Sequence, residues 1–161
     1  MTKNEILNLY RGLLSLNKAR IAGVKFAYAV NKNINILKSE IEALDEAKKF
    51  SEEFLAFDKE RIIMAEANAK KDEKGKPLTA TDPLTNMGSY VMENEAEFEV
   101  KFVELKEKHK PAIDARDVQV KEFEELLKTP STVELHKLKI EDVPATITTD
   151  QMSIIMPILA E

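Results

Sequence analysis

The chain has 161 residues, of which 43% are hydrophobic and 33% are charged, with four Gly, six Pro and neither Cys nor Trp. The lack of Cys excludes disulfides, thiolate nucleophiles and Cys-ligated metal centres, and the low Gly content disfavours Gly-rich phosphate loops and turn-rich β-sandwiches. The net charge of −5 conceals an asymmetry, because residues 1–38 carry seven basic side chains and one acidic side chain, a net of +6, while the remainder carries −11. We expect the basic segment either to lie against the acidic remainder or to face an anionic ligand.

The first predicted element is a leading helix over residues 1–15, because Thr2 and Glu5 have the spacing of a capping box. A second, much longer helix is predicted over residues 18–70. Part of its apolar face alternates spacings of three and four, which is typical of a coiled-coil seam or a helical hairpin. The residues of that seam are Ile34, Leu37, Ile41 and Leu44.

Residues 71–89 are rich in Pro, Gly, Thr and Asp, which predicts a loop. Residues 90–128 then follow a helical period and predict a return helix. Pro111 lies within it, so we expect a kink or a break near Lys110. The return helix is expected to pack antiparallel to the long helix, with the loop at the tip of the hairpin.

The pattern changes after Pro130, and residues 129–161 are predicted to form a strand and a short helix. The spacing of Val133, Leu135, Leu138 and Ile140 predicts the strand, whose partner is either a short segment near residues 145–147 or another subunit. Thr148 and Gln151 predict a second capping box, which opens the terminal helix. The predicted fold is therefore mainly α, one domain over residues 1–161, built as a long antiparallel, coiled-coil-like helical hairpin with a short C-terminal β-ribbon and a short terminal helix.

Few residues are available for catalysis. His109 lies on an apolar stripe, where a partly buried, satisfied histidine is the preferred interpretation, and His136 is expected to be exposed. The sequence contains no HExxH motif, no paired Glu-x-x-His motif and no serine nucleophile motif. We therefore expect no enzyme, no cofactor and no metal site.

The candidate ligand-binding residues form a basic and aromatic group near the N-terminus, namely Lys18, Arg20, Lys25, Phe26 and Tyr28. Lysine and arginine can hold a phosphate while an aromatic ring stacks on a base. In the alternative interpretation, the rings are core residues and their basic neighbours extend to water. Arg20 and Tyr28 are eight residues apart, about 12 Å along a helix, so a small ligand would contact both only in a site drawn from two subunits. Long nucleic acid is not expected, because the acidic remainder would repel it.

Several short motifs resemble those of a family of small, uncharacterised phage and prophage proteins. They are the basic helix start at residues 18–28, the acidic stretch at 40–47, the Lys/Asp/Gly loop at 71–77, the Phe123-to-Leu135 stretch and the helix cap at 147–150. The resemblance covers about residues 16–161, although the loop is longer here and Pro111 lies outside the pattern. It implies a phage setting, and hence the cytoplasm of the host cell.

From these features we predict a non-catalytic accessory protein of the phage type, acting in counter-defence by sequestering a phosphorylated host signal or a host protein. The alternative is an oligomeric helical protein with a structural or assembly role. No apolar run reaches the roughly 18–20 residues that cross a bilayer, and no signal-peptide core is found, so no membrane partner is expected. At least a dimer is predicted, because the lone strand, the seam and the apolar face of the last helix exceed what one thin hairpin can bury.

Overall fold

The computed structural model describes residues 1–19, 21, 23–81, 83 and 85–160. In this part of the chain it contains six α-helices and one two-stranded antiparallel ribbon, which confirms the mainly α prediction. The helices are α1 (Lys3–Ala19), α2 (Val24–Ala47), α3 (Glu52–Ala67), α4 (Glu95–Lys108), α5 (Lys110–Lys128) and α6 (Thr149–Ile155), and the strands are β1 (Thr79–Thr81) and β2 (Gly88–Tyr90). None of the helices described is both long enough and apolar enough to cross a bilayer.

The chain divides into two compact units, one formed by residues 1–49 and 120–161 and the other by residues 50–119. In the first unit, α1 packs against α2 and α6. The predicted capping box opens α1, because the Thr2 amide donates to Glu5 Oε2 at 2.7 Å and the Glu5 amide donates to Thr2 Oγ1 at 3.2 Å. The apolar stripes of these helices form the core of this unit, whose buried members are Ile6, Leu9, Leu13, Leu16, Phe26, Ala29, Val30, Leu37, Ile41, Leu44, Leu138, Ile155 and Ile158.

The prediction of one helix over residues 18–70 is wrong, because the chain breaks twice within this range. The first break precedes α2, where Gly23 has a φ of 128° that L-residues with side chains rarely adopt. The second lies between α2 and α3, where the Ser51 side chain accepts a hydrogen bond from the Phe54 amide and caps a new helix. The leading helix is correspondingly longer than predicted, since α1 continues to Ala19.

The ribbon lies at residues 79–90 rather than at the C-terminus, so its predicted position is wrong. Residues 132–137 form no strand; Leu138 forms a single parallel bridge to Leu159, donating to the Ile158 carbonyl at 2.7 Å. This pairing satisfies part of the backbone that the sequence left without a partner. The terminal helix is confirmed, and both hydrogen bonds of its Thr148–Gln151 capping box are present.

In the second unit, α3 and α4 run antiparallel and form a helical hairpin. Lys101 Nζ lies 2.9 Å from Asn68 Oδ1 near the tip, and Lys108 Nζ lies 2.7 Å from Glu60 Oε2 farther back. The β1–β2 ribbon occupies the second half of the segment that was predicted as the tip loop, residues 71–89, and extends one residue beyond it, to Tyr90.

The helical break at the start of α5 lies where the sequence predicted it. α4 ends at Lys108 and α5 begins at Lys110, with His109 between them. Pro111 is the second residue of α5, where the amide hydrogen that it lacks would have no partner within the helix.

Candidate ligand-binding cleft

One buried side chain, that of Asn33, holds an extended segment against α2. Asn33 is fully buried, and its Nδ2 donates to the carbonyls of His136 at 2.9 Å and Ala29 at 3.0 Å. Its Oδ1 accepts from the His136 amide at 2.8 Å. The Asn33 amide therefore satisfies both backbone groups of His136, as a neighbouring strand would. This contact positions residues 136–139 alongside the first turns of α2.

Between this segment and α2 lies a cavity of about 370 Å³, which we call the basic cleft. Its volume falls in the range of roughly 300–1,000 Å³ that is usual for small-molecule sites. The cleft is lined by Val24, Lys25, Tyr28, Ala29, His136, Lys137, Leu138, Lys139 and Asp142. All nine residues belong to the first compact unit.

The lining of the basic cleft carries three lysines and one carboxylate. Lys25 Nζ lies 2.7 Å from Asp142 Oδ1, and this hydrogen bond and the charge of Asp142 raise the pKa of Lys25. Lys137 donates to the Pro157 carbonyl at 3.1 Å, and Lys139 lies 3.6 Å from Glu141. The excess of cationic donors over carboxylates among the lining residues suits an anionic ligand.

An exposed aromatic ring stands beside these lysines. Tyr28 is 58% exposed, and the His136 ring meets it edge-on with 5.6 Å between ring centroids. Lys32 Nζ lies 5.5 Å from the centre of the Tyr28 ring. An accessible ring with cations around it can stack on a planar base while the cations bind a phosphate.

The structure brings together two of the five predicted ligand-binding residues, Lys25 and Tyr28. Lys18 is exposed in the last turn of α1 and does not line the cleft. Phe26 corrects the prediction: it is 2% exposed and belongs to the core, because two residues along a helix turn its side chain about 200° away from that of Tyr28. Arg20 lies outside the described residues.

Four lining residues were not among the candidates predicted from the sequence, namely His136, Lys137, Lys139 and Asp142, which lie about 90 residues beyond the end of α2. Lys137 and Lys139 flank the buried Leu138, so an extended backbone points both lysines away from the core. That alternation was visible in the sequence. The pairing with α2 was not visible, because it depends on the side chain of Asn33. His136 was predicted to be exposed, but the structure shows it half-buried.

No protein-family model, curated protein or solved structure matches this chain. Among the residues described, no group of three or more His, Asp and Glu side chains is placed to hold a metal ion.

A second cavity, of about 610 Å³, lies in the second unit between α3, the ribbon and α4. Its lining is largely apolar and aromatic, including Ile62, Phe98 and Phe102. The charged residue in this lining, Arg61, donates two hydrogen bonds to Asp58 Oδ1, at 3.0 and 2.7 Å. This lining contains one charged side chain, whereas that of the basic cleft contains four, so it offers fewer charged donors for a phosphate.

His109 is part of a charged cluster in the second unit. Its ring contacts that of Phe57, with 5.7 Å between centroids, and its Nε2 is buried 3.3 Å from Glu60 Oε1 without the geometry of a hydrogen bond. The Lys108 ammonium, together with His109, lowers the pKa of the Glu60 carboxyl. The predicted half-buried position of His109 is confirmed, but a hydrogen bond that satisfies its Nε2 is not found among the described residues.

Proposed function

We propose that this protein is a non-catalytic accessory protein of the phage type that sequesters a small phosphorylated ligand, a nucleotide, in the basic cleft. The observation that carries the proposal is the convergence of Lys25, Lys137 and Lys139 with the exposed ring of Tyr28 around one cavity. The lysines supply donors for phosphate oxygens, and the ring supplies a surface for a base. The phage and counter-defence setting rests on the motif resemblance in the sequence.

The proposal requires the ligand to be held and not converted. A lysine ammonium binds phosphate as a point charge, and each charged hydrogen bond contributes about 1.5–3 kcal/mol. Two or three such bonds plus one stacked base, which adds about 1–3 kcal/mol, total about 4–12 kcal/mol. Association costs at least about 4 kcal/mol, so micromolar affinity, which needs about 8 kcal/mol, requires contributions at the upper end of that range. All of these groups are supplied by one chain, so the proposed site does not need a second subunit.

The test is isothermal titration calorimetry of the purified chain against linear mononucleotides and cyclic dinucleotides. We expect binding tighter than about 100 μM, and a loss of about ten- to a hundredfold for Lys137→Ala and Lys139→Ala. Lys38→Ala is the matched control, because Lys38 is an exposed lysine of α2 that pairs with Glu42 outside the cleft. Far-UV circular dichroism verifies that each variant is folded.

Two outcomes would contradict the proposal. If no nucleotide binds the wild-type chain below about 100 μM, sequestration of a host protein or a role in assembly becomes the better account. If chromatography after incubation shows that the nucleotide has been converted to a product, the non-catalytic part of the proposal fails.

A further inference from the structure

Resting on the proposed nucleotide binding, we propose that Asp142 is a specificity-determining residue and that the preferred ligand carries a guanine base. Asp142 supplies the carboxylate of the cleft lining. Its side chain is only 16% exposed, whereas that of its partner Lys25 is 72% exposed. The carboxylate is therefore largely enclosed by the wall of the cleft, whereas the lysine that covers it extends into solvent.

A carboxylate in a cleft that binds phosphate must face a part of the ligand that is not anionic. It would repel phosphate oxygens, and both of its oxygens are acceptors only. The ligand that satisfies the whole cleft therefore places its phosphate near Lys137 and Lys139 and a pair of hydrogen-bond donors at Asp142. A base stacked on Tyr28 presents such an edge, because Tyr28 and Lys25 are neighbours at i and i+3 on one face of α2.

Guanine is the nucleobase whose pairing edge matches a carboxylate. Its ring N–H and its exocyclic amino group are adjacent donors, and they fit the two oxygens of a carboxylate in the bidentate manner. Adenine and cytosine each place one amino group beside an unprotonated ring nitrogen. That nitrogen would face the second carboxylate oxygen, and no hydrogen bond would form because both atoms are acceptors. Uracil offers one N–H between two carbonyls.

In the structure described, Lys25 fills the role that the base would take over. Its ammonium is the donor held against Asp142 Oδ1. When a guanine edge replaces it there, Lys25 is released at the mouth of the cleft, where it can bind the phosphate. The Lys25–Asp142 pair thus links base recognition to phosphate binding. The base of the ligand takes the place of Lys25 at Asp142, and the phosphate of the same ligand takes the place of Asp142 at Lys25.

The test compares four nucleotides by calorimetry on the full chain: GMP, IMP, AMP and UMP. IMP keeps the ring N–H of guanine but lacks the amino group, so it isolates one of the two donors. We expect GMP to bind about 5- to 100-fold more tightly than AMP or UMP, with IMP in between, as for other bidentate contacts to bases. In Asp142→Asn the preference for GMP should disappear, because the amide replaces one acceptor by a donor.

Two further variants test the exchange at Asp142. Lys25→Met should weaken the binding of GMP, the ligand whose base releases Lys25 toward the phosphate, and should change the affinities for AMP and UMP little. Glu134→Gln is the matched control for the charge change, since Glu134 is an exposed acid of the same segment outside the cleft lining, and it should leave the ranking unchanged.

The outcomes distinguish this inference from the proposed function. Equal affinity of the wild-type chain for all four nucleotides would overturn the role of Asp142 and leave nucleotide binding intact. No binding of any nucleotide would overturn both. If Asp142→Asn fails to fold, the wild-type ranking and the Lys25→Met variant still decide the question.

Discussion

At the scale of single residues, the Asn33 side chain forms the hydrogen bonds to the His136 backbone that a neighbouring strand would form. Replacing it by Ala removes three hydrogen bonds and leaves the amide and carbonyl of His136 without their partner. Each unsatisfied buried group costs about 1–3 kcal/mol, so we expect Asn33→Ala to lower the free energy of unfolding by about 2–5 kcal/mol. Urea unfolding followed by far-UV circular dichroism measures the change.

The neighbouring Asn31 provides the control for this prediction. Asn31 is exposed, and its side chain donates to the Ala27 carbonyl of the same helix, at 2.9 Å. Asn31→Ala should therefore change the stability by no more than about 0.5 kcal/mol. Equal losses for the two variants would show that Asn33 owes its importance to helix propensity and not to the segment that it holds.

At the scale of elements, the packing of α1 on α6 depends on the absence of a side chain at Gly12. A Cβ at this position would lie 2.6 Å from Ile154 Cγ2 and 3.2 Å from Ile154 Cγ1. Alanine favours a helix over glycine by about 1 kcal/mol, but overpacking costs about 1–3 kcal/mol. We expect Gly12→Ala to destabilise the wild-type protein and to stabilise an Ile154→Ala background, in which the clashing atoms are gone. A double-mutant cycle by urea unfolding gives both signs, and the same sign in both backgrounds would contradict the packing argument.

At the scale of the whole molecule, the apolar residues that led to the dimer prediction are largely buried within the first unit. The exposed apolar residues that now support it lie in the second unit. The seam residues Leu37, Ile41 and Leu44 are buried within the first unit, as is Ile155 of the last helix, and Leu138 has a backbone partner there. The second unit, in contrast, buries only three hydrophobic residues among those described, Phe57, Ala65 and Ala69. Large apolar side chains on its helices remain at least 43% exposed, namely Leu55, Ile62, Ile63, Val100 and Val103.

Self-association therefore remains a prediction, now placed on α3 and α4. We expect sedimentation equilibrium at tens of micromolar to give a mass above the 18.3 kDa of one chain, and Ile63→Glu to shift the protein toward the monomer. Lys59→Gln changes the net charge by the same −1 at an exposed polar position of α3 and should leave the mass unchanged. A wild-type chain that sediments only as a monomer would refute this.

The parts of the fold that the sequence predicted correctly are those that depend on near neighbours. The Thr2–Glu5 and Thr148–Gln151 caps each satisfy amides three residues away, and Pro111 acts on the turn before it. The breaks at Gly23 and Ser51 were also local, but the continuing apolar spacing outweighed them in the prediction. The basic cleft was only half predictable, because Lys25 and Tyr28 meet residues whose proximity is set by the tertiary hydrogen bonds of Asn33.

The pairing of Leu138 with Leu159 ties the cleft to the last residues described in the chain. Leu138 donates to the Ile158 carbonyl and accepts from the Ala160 amide, at 2.7 and 2.8 Å, and the two flanking lysines belong to the cleft. Ile158 is fully buried in the core of the first unit, so residues 158–160 open only when that core is disturbed. The backbone that carries the two flanking lysines is thus held to the same core as the helices, and we expect ligand affinity and thermal stability to be lost together.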